Sequence, residues 1–120
     1  MVWKKAVELS VQVYKLTESF PKSELFGLTS QIRRAVVAVA SNIAEGQGRG
    51  TKKEFAQFLK IAFASLLELK TQLIICQKIG YLIGSQLKEM LSLSLEIKKM
   101  IYSLEKSLKT RNFETLKLRN

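Results

Sequence analysis

The chain has 120 residues, of which 47% are hydrophobic, so it is long enough for one domain with a modest core and too apolar to be a disordered tail. It contains no His and no Asp, and Cys76 is its one cysteine. An internal disulfide, a Cys/His zinc site and a His-dependent catalytic triad are therefore excluded. Its 20 Lys and Arg against 10 acidic residues give a net charge of +10, which favours a polyanionic partner; the alternative is a basic surface that only keeps the protein soluble. We expect no enzyme activity, no metal and no cofactor.

Four helices are predicted, and the first carries two apolar stripes. One stripe belongs to the core and ends before Pro21, because proline cannot continue a helix. Its members are Ala6, Leu9, Val13, Leu16 and Phe20. The second stripe consists of Trp3, Val7, Val11 and Tyr14. A lone bundle leaves such a stripe in water, and exposed apolar patches mark subunit interfaces, so we expect a homo-oligomer. The alternative is a broader core that takes in both stripes.

The second helix is the least clear of the four, because its run AVVAVASNIA is rich in valine and resembles a strand. We predict a helix, since its apolar residues recur on one helical face, with Thr29 or Ser30 as the N-cap. That face consists of Leu28, Ile32, Val36, Val39 and Ile43.

The third and fourth helices have the strongest periodicity. Apolar residues alternate at spacings of three and four from Phe55 to Cys76 and, with Ser94 at one position, from Ile83 to Leu108, a heptad seam that a strand cannot use. We predict the third helix from about Lys52 to Ile79 and the fourth from an N-cap at Ser85. The fourth helix has further apolar residues beside its seam, and the core of a single bundle would leave much of their surface in water. They are Leu91, Leu93, Leu95 and Tyr102.

These elements predict an all-α fold, an up-and-down antiparallel four-helix bundle. It forms a single domain over residues 1–120, with a tail that frays from about residue 111. No uncharged apolar run is long enough to cross a bilayer, and the first 16 residues lack the pattern of a signal peptide. We therefore expect no membrane contact and a cytoplasmic location.

The stretch SNIAEGQGRGTKKEF, residues 41–55, joins the second and third helices and raises the question of a phosphate-binding loop. Neither G-x-x-x-x-G-K-[ST] nor G-x-G-x-x-G fits its glycines, and no predicted strand precedes it. We interpret it as a corner between helices. Gly46 or Gly48 ends one helix in the left-handed conformation, and Thr51 and Glu54 form a capping box for the next.

Five basic residues are the candidate nucleic-acid contacts: Arg33, Arg34, Arg49, Lys52 and Lys53. The last three lie at the start of the third helix, where they oppose the helix dipole unless they share a bound phosphate. Glu45 or Glu68 is expected to pair across the bundle with one of the two arginines of the second helix; for Glu68 the equal alternative is a surface position. No base-reading motif is visible, so contacts to phosphates without sequence specificity are expected.

The runs FGLTSQIRRAVVAVASNIAEGQGR, EFAQFLKIAFASLLELKTQL and KIGYL resemble the bacterial 23S rRNA intervening-sequence proteins, over about Trp3 to Leu108. The resemblance implies a four-helix bundle that assembles as a pentamer, and it offers no catalytic residue. It also implies kinship with the accessory variability protein of diversity-generating retroelements, a basic pentameric ring that contacts nucleic acid and a reverse transcriptase. Many relatives have proline before S-N-I-A-E-G, where this chain has Val39 and Ala40, which implies a helix without a kink.

The sequence thus predicts an oligomeric, non-enzymatic protein that contacts RNA or DNA, and RNA in particular, through phosphates on a basic surface. The alternative is a protein-interaction scaffold or accessory subunit with no direct role in nucleic-acid binding. Salt dependence distinguishes the two, because phosphate contacts release counterions.

Overall fold

The fold consists of four α-helices joined by short connections. The structure is a computed structural model that describes the backbone of residues 1–119 and the side chains of residues 1–109, and no strand occurs in that part of the chain. The helices are α1 (Val2–Thr17), α2 (Leu28–Gly48), α3 (Lys52–Lys78) and α4 (Gly84–Arg119), and a turn of 3-10 helix at Lys22–Glu24 precedes α2. The side chains of the tail from about residue 111 lie outside the described residues, so its fraying stays a prediction.

The all-helical prediction is confirmed, and it includes the valine-rich segment. AVVAVASNIA lies within α2, where Ile32, Val36, Val39 and Ile43 are almost completely buried. Valine costs a helix less than about 1 kcal/mol, and burial of a whole apolar face outweighs that penalty. The helix passes unbroken through Val39 and Ala40, as the missing proline implies.

The heptad seams form the core. Six of the seven seam positions of α3 are buried: Leu59, Ala62, Leu66, Leu69, Leu73 and Cys76. In α4 the prediction fails at Ile83, which is 64% exposed because it precedes the helix, and Leu82 is buried in its place. Each helix packs on two others, since α2 contacts α1 and α3 while α4 contacts the same pair. This packing is that of a bundle, and its up-and-down order stays a prediction.

The helix α2 begins without either predicted N-cap. Gly27 precedes the helix, and Thr29 and Ser30 lie inside it. The Thr29 hydroxyl oxygen is buried without a hydrogen-bond partner. The first helical N–H, that of Leu28, donates to Glu24 Oε1 at 3.4 Å. A side chain of the preceding 3-10 turn therefore caps the helix in place of Thr29 or Ser30.

The helix α4 also begins differently from the prediction. Its first residue is Gly84, which places the predicted N-cap Ser85 within the helix. Gln86 instead reaches back, and its Oε1 accepts a hydrogen bond from the Ile83 N–H at 2.9 Å. A side chain of the first turn therefore satisfies the backbone donor just before the helix, whereas a cap at Ser85 would accept from an N–H two or three residues beyond it.

The α1–α2 and α3–α4 connections meet at one end of the bundle. The helix α3 ends with Gly80 in the left-handed region at φ +89°, and the Tyr81 N–H donates to the Cys76 carbonyl at 2.8 Å. The Tyr81 ring lies 5.4 Å from that of Phe20, which is buried beyond the end of α1. The Tyr81 hydroxyl donates to Glu24 at 2.8 Å, and this hydrogen bond raises the pKa of Tyr81 because only the neutral phenol can donate it.

The core takes in only part of the spare apolar residues. Val7 and Leu93 pack against it, but Trp3, Val11 and Tyr14 remain 42% to 48% exposed. The predicted excess of apolar surface on α1 is thus present, and the homo-oligomer that would cover it stays a prediction. Among the described residues, no helix has the length and apolar character to cross a membrane.

Candidate nucleic-acid interface

The corner between α2 and α3 turns at Gly50. This residue has φ +88°, a conformation that favours glycine. Gly46 and Gly48 lie in the last turn of α2, so the prediction that one of them ends the helix in the left-handed conformation is wrong. Gly46 is needed for another reason, which is the close approach of α3. A Cβ added there would lie 2.5 Å from the Cβ of Phe58.

Thr51 caps α3 as predicted. Its hydroxyl oxygen accepts a hydrogen bond from the Glu54 N–H at 3.1 Å. The return half of the predicted capping box differs, because Glu54 Oε1 accepts from the Thr51 hydroxyl at 3.1 Å and not from its backbone N–H. The carboxylate still lies in the first turn of α3, where the helix dipole stabilises a negative charge.

Arg49 is the corner cation with the most intramolecular contacts. Its guanidinium lies 3.0 Å from Glu45 Oε1, 4.0 Å from Glu54 Oε2 and 5.0 Å from the centre of the Phe58 ring. The expected pairing of Glu45 across the bundle is therefore wrong, because Arg49 lies one helical turn away from it. Two carboxylates compete with any phosphate for Arg49, which weakens its case as a nucleic-acid contact.

Lys52 and Lys53 are the unpaired cations of the same corner. Both side chains are exposed, and among the described residues neither has an acidic partner. They lie in the first turn of α3, where the backbone N–H groups give the helix end a partial positive charge. An anion placed there would meet two ammonium groups and a favourable dipole together.

Arg33 and Arg34 are neighbours with different environments. Arg33 is half-buried: its Nε donates to Thr17 Oγ1 at 2.9 Å, and its guanidinium lies 4.6 Å from the centre of the Tyr14 ring. Arg34 is exposed and has no partner among the described residues. Neither pairs with Glu68, which accepts a hydrogen bond from Gln72 on its own helix at 3.2 Å. The pairing is therefore wrong for Glu68, and the alternative of an exposed surface position is confirmed.

This contrast gives a matched test of the two arginines. Arg33→Ala is expected to lower the free energy of unfolding by about 1 to 2 kcal/mol, because it removes a charged hydrogen bond and a cation–π contact that join α2 to α1. Arg34→Ala is expected to change it by less than about 0.5 kcal/mol. Urea unfolding followed by circular dichroism measures both. Equal effects would show that the contacts of Arg33 carry no net stability.

The predicted residues do not form one patch. Arg34 and Arg49 are separated by 15 positions, of which all but the last lie in α2. At about 1.5 Å per residue the two arginines are roughly 22 Å apart along the helix. The structure brings Arg49 together with Lys52 and Lys53 at the corner, and it leaves the two earlier arginines near the other end of α2.

Sequence reasoning missed a second basic surface, between α3 and α4. A groove of ≈ 160 Å³ there is lined by Leu66, Leu67, Lys70, Leu91, Ser94, Leu95 and Lys98. The Nζ of Lys98 lies 5.8 Å from the centre of the Phe63 ring. Two further lysines stand seven residues from Leu67 or Leu95, and hence on the same helix faces: Lys60 and Lys88. That spacing is the signal that could have identified this surface.

Comparisons with known proteins agree with the fold. The family described as 23S rRNA-intervening sequence protein matches residues 1–103. A crystal structure of a protein of unknown function from the S23 ribosomal protein family of Bacteroides thetaiotaomicron has a TM-score of 0.79 and 25% sequence identity, over 88% of this chain and 99% of that one. No curated protein matches the chain significantly. With most of its length matched by the family and its four helices superposed on a solved relative, the chain belongs to the 23S rRNA-intervening sequence protein family.

Proposed function

We propose that this protein is an oligomeric, non-enzymatic nucleic-acid-binding protein that contacts phosphates through exposed lysines. The observation that carries the proposal is the pair Lys52 and Lys53, exposed and without acidic partners in the first turn of α3. Both charges add to the positive helix end instead of offsetting it, which favours a bound phosphate. The net charge of +10 supplies the long-range attraction.

RNA is the first candidate among nucleic acids. The family is named for intervening sequences of 23S rRNA, and the solved relative is assigned to a ribosomal protein family. These names support RNA over DNA. The cytoplasm, where ribosomal RNA is made and used in bacteria, is the location that we propose.

Self-association is part of the proposal. The exposed stripe of Trp3, Val11 and Tyr14 on α1 gives each chain an apolar surface to bury against another copy. The family resemblance implies a pentamer of up-and-down bundles, and kinship with the accessory variability protein of diversity-generating retroelements points the same way. A pentamer would carry about five times the charge of one chain.

The proposal is tested by fluorescence anisotropy of a labelled single-stranded RNA across a salt series, on nuclease-treated protein. We expect a dissociation constant of about 1 μM or lower at low salt and a steep decrease in affinity as salt rises. The plot of log affinity against log salt has a negative slope, to which each phosphate contact with a single strand contributes about −0.7. Lys52→Gln with Lys53→Gln is therefore expected to make this slope shallower by about 1.4.

The matched control is Lys15→Gln with Lys22→Gln. Both lysines are exposed; Lys15 lies in the last turn of α1 and Lys22 in the 3-10 turn, away from the corner of Lys52 and Lys53. It removes the same charge and is expected to change the slope less. If the wild-type protein fails to bind even at low salt, the proposed function is wrong. If both double variants weaken binding equally, net charge and not the corner is responsible.

The second candidate function is a protein-interaction scaffold or accessory subunit. One observation favours it, which is the partly exposed apolar surface between α3 and α4. This candidate assigns no nucleic-acid role to the corner of Lys52 and Lys53, so the RNA-binding measurement above distinguishes it from the first.

A further inference from the structure

The groove between α3 and α4 has an apolar centre that faces water. Leu67 and Leu95 line it from opposite helices and are 42% and 49% exposed, above a floor that includes the buried Leu66. Tyr102, one heptad beyond Leu95, is 67% exposed. Aliphatic side chains offer bases no stacking platform and contribute nothing to a phosphate contact. Their burial by another apolar surface is favourable at about 25 cal/mol per Å².

The charged residues among the helical neighbours of this centre are all lysines. On a helix surface, the neighbours of a residue are three, four and seven positions away. For Leu67 and Leu95 these twelve positions contain no acidic residue and five lysines: Lys60, Lys70, Lys88, Lys98 and Lys99. An acid of α4 faces elsewhere, since Glu96 pairs with Lys5 of α1 at 2.9 Å. The groove therefore has an aliphatic centre and a positive wall on each side.

We propose that this groove binds an acidic amphipathic helix of a partner protein. Such a helix would place leucine-like residues at heptad spacing on Leu67 and Leu95, and carboxylates on both flanks towards Lys70 and Lys98. The stretch from Lys60 to residue 74, faced by residues 88 to 102, is about 21 Å long and matches a helix of about 14 residues. The inference does not depend on nucleic-acid binding, because Lys52 and Lys53 take no part in it.

The probe is a fluorescein-labelled three-heptad peptide with leucine at the first and fourth positions and glutamate at the flanking ones. Its control has the same composition, with the leucines moved off the heptad. Anisotropy is expected to show saturable binding of the first peptide and at least tenfold weaker binding of the second, a difference of about 1.4 kcal/mol. Equal affinity for both peptides would overturn the proposal, since charge alone would then suffice.

Variants locate the binding and separate it from the proposed function. Leu67→Gln with Leu95→Gln removes the apolar centre, keeps every charge and is expected to weaken peptide binding at least tenfold while leaving RNA affinity unchanged. Lys52→Gln with Lys53→Gln is expected to do the reverse. All four positions are exposed, and thermal melting by circular dichroism checks that each variant folds. Unchanged peptide affinity in the leucine variant would overturn the proposal.

Lys70→Gln with Lys98→Gln tests whether the lysines of the groove bind the peptide or a nucleic acid. We expect weaker peptide binding with a smaller salt dependence, and unchanged RNA affinity. If this variant instead loses RNA affinity and keeps peptide affinity, the groove is a nucleic-acid surface and the proposed helix partner is wrong. If wild-type protein binds the peptide and no RNA, the groove proposal stands and the proposed function fails.

Discussion

Gly46→Ala is expected to lower the free energy of unfolding by about 2 kcal/mol or more, because it overpacks the close approach of α3 to α2 at Gly46. The added Cβ would lie 2.5 Å from Phe58 Cβ and 3.2 Å from Phe55 Cδ1. Neither contact can be relieved by a change of rotamer alone. The Cβ of Phe58 is fixed by its backbone, and the ring of Phe55 packs against the core. Gly46→Val should cost more. Urea unfolding followed by circular dichroism gives the values.

Gly48 supplies the matched control. It lies in the same turn of α2, and a Cβ added there would meet nothing within 4 Å. Gly48→Ala is therefore expected to leave stability unchanged or to raise it by up to about 1 kcal/mol, because alanine loses less backbone entropy in a helix. Phe58→Ala should not rescue Gly46→Ala, since the contacting Cβ remains. Similar effects of the two alanines would contradict the close approach.

Cys76 is expected to react with iodoacetamide at pH 8 at least a hundredfold more slowly in the native protein than in the urea-unfolded chain. Burial, with a smaller contribution from the charge of Glu24, raises the pKa of the Cys76 thiol from 9.0 to about 11. That shift alone reduces the reactive thiolate about a hundredfold, and the side chain is completely buried as well. Because the chain has no other thiol, labelling is read directly by mass.

The same shift predicts how stability changes with pH. The native state favours the neutral thiol, so its contribution is fully present below the unfolded pKa and is lost as pH rises from 9 towards 11. The loss is on the order of 2 to 3 kcal/mol. Cys76→Ala should lack this part of the decrease, and the difference between the two proteins isolates it from the titration of lysines and tyrosines. Rapid labelling of the native protein would contradict the burial of Cys76.

The helices and the core could be read from the sequence, because the seams are periodic over many turns. The run from Leu59 to Cys76 needs no knowledge of its neighbours to specify a buried face. The helix ends could not be read so well. The Leu28 N–H at the start of α2 and the Ile83 N–H just before α4 bind to Glu24 and Gln86, and which side chain reaches a helix end depends on the path of the connection.

The candidate site was predictable only in part, because residue spacing had to be converted into distance. Lys52 and Lys53 were identified through a local signal, the start of α3. Arg34 does not belong with them, because most of the length of α2 separates it from the start of α3. The lysines around Leu67 and Leu95 show a seven-residue spacing in each helix, but they become one surface only when α3 and α4 are known to adjoin.

The S-N-I-A-E-G run, which carries the family resemblance, is explained by folding contacts. Asn42 donates to the Ala38 carbonyl at 2.7 Å, and Ile43 is buried in the core. Glu45 forms an ion pair with Arg49, and the absence of a side chain at Gly46 allows α3 to approach closely. The run therefore specifies the corner between α2 and α3, and the residues proposed to contact a ligand lie after it.

The contact between α1 and α4 also has a consequence for biosynthesis. These are the first and last helices of the chain, and Lys5 meets Glu96 only when most of the protein has been made. A nascent chain that ends before Gly84 can pair α2 with α1 and α3, but it leaves the sides of α1 and α3 that pack on α4 in water. Folding therefore finishes after translation of the last helix, and the unfinished chain is the form most exposed to aggregation and to chaperones.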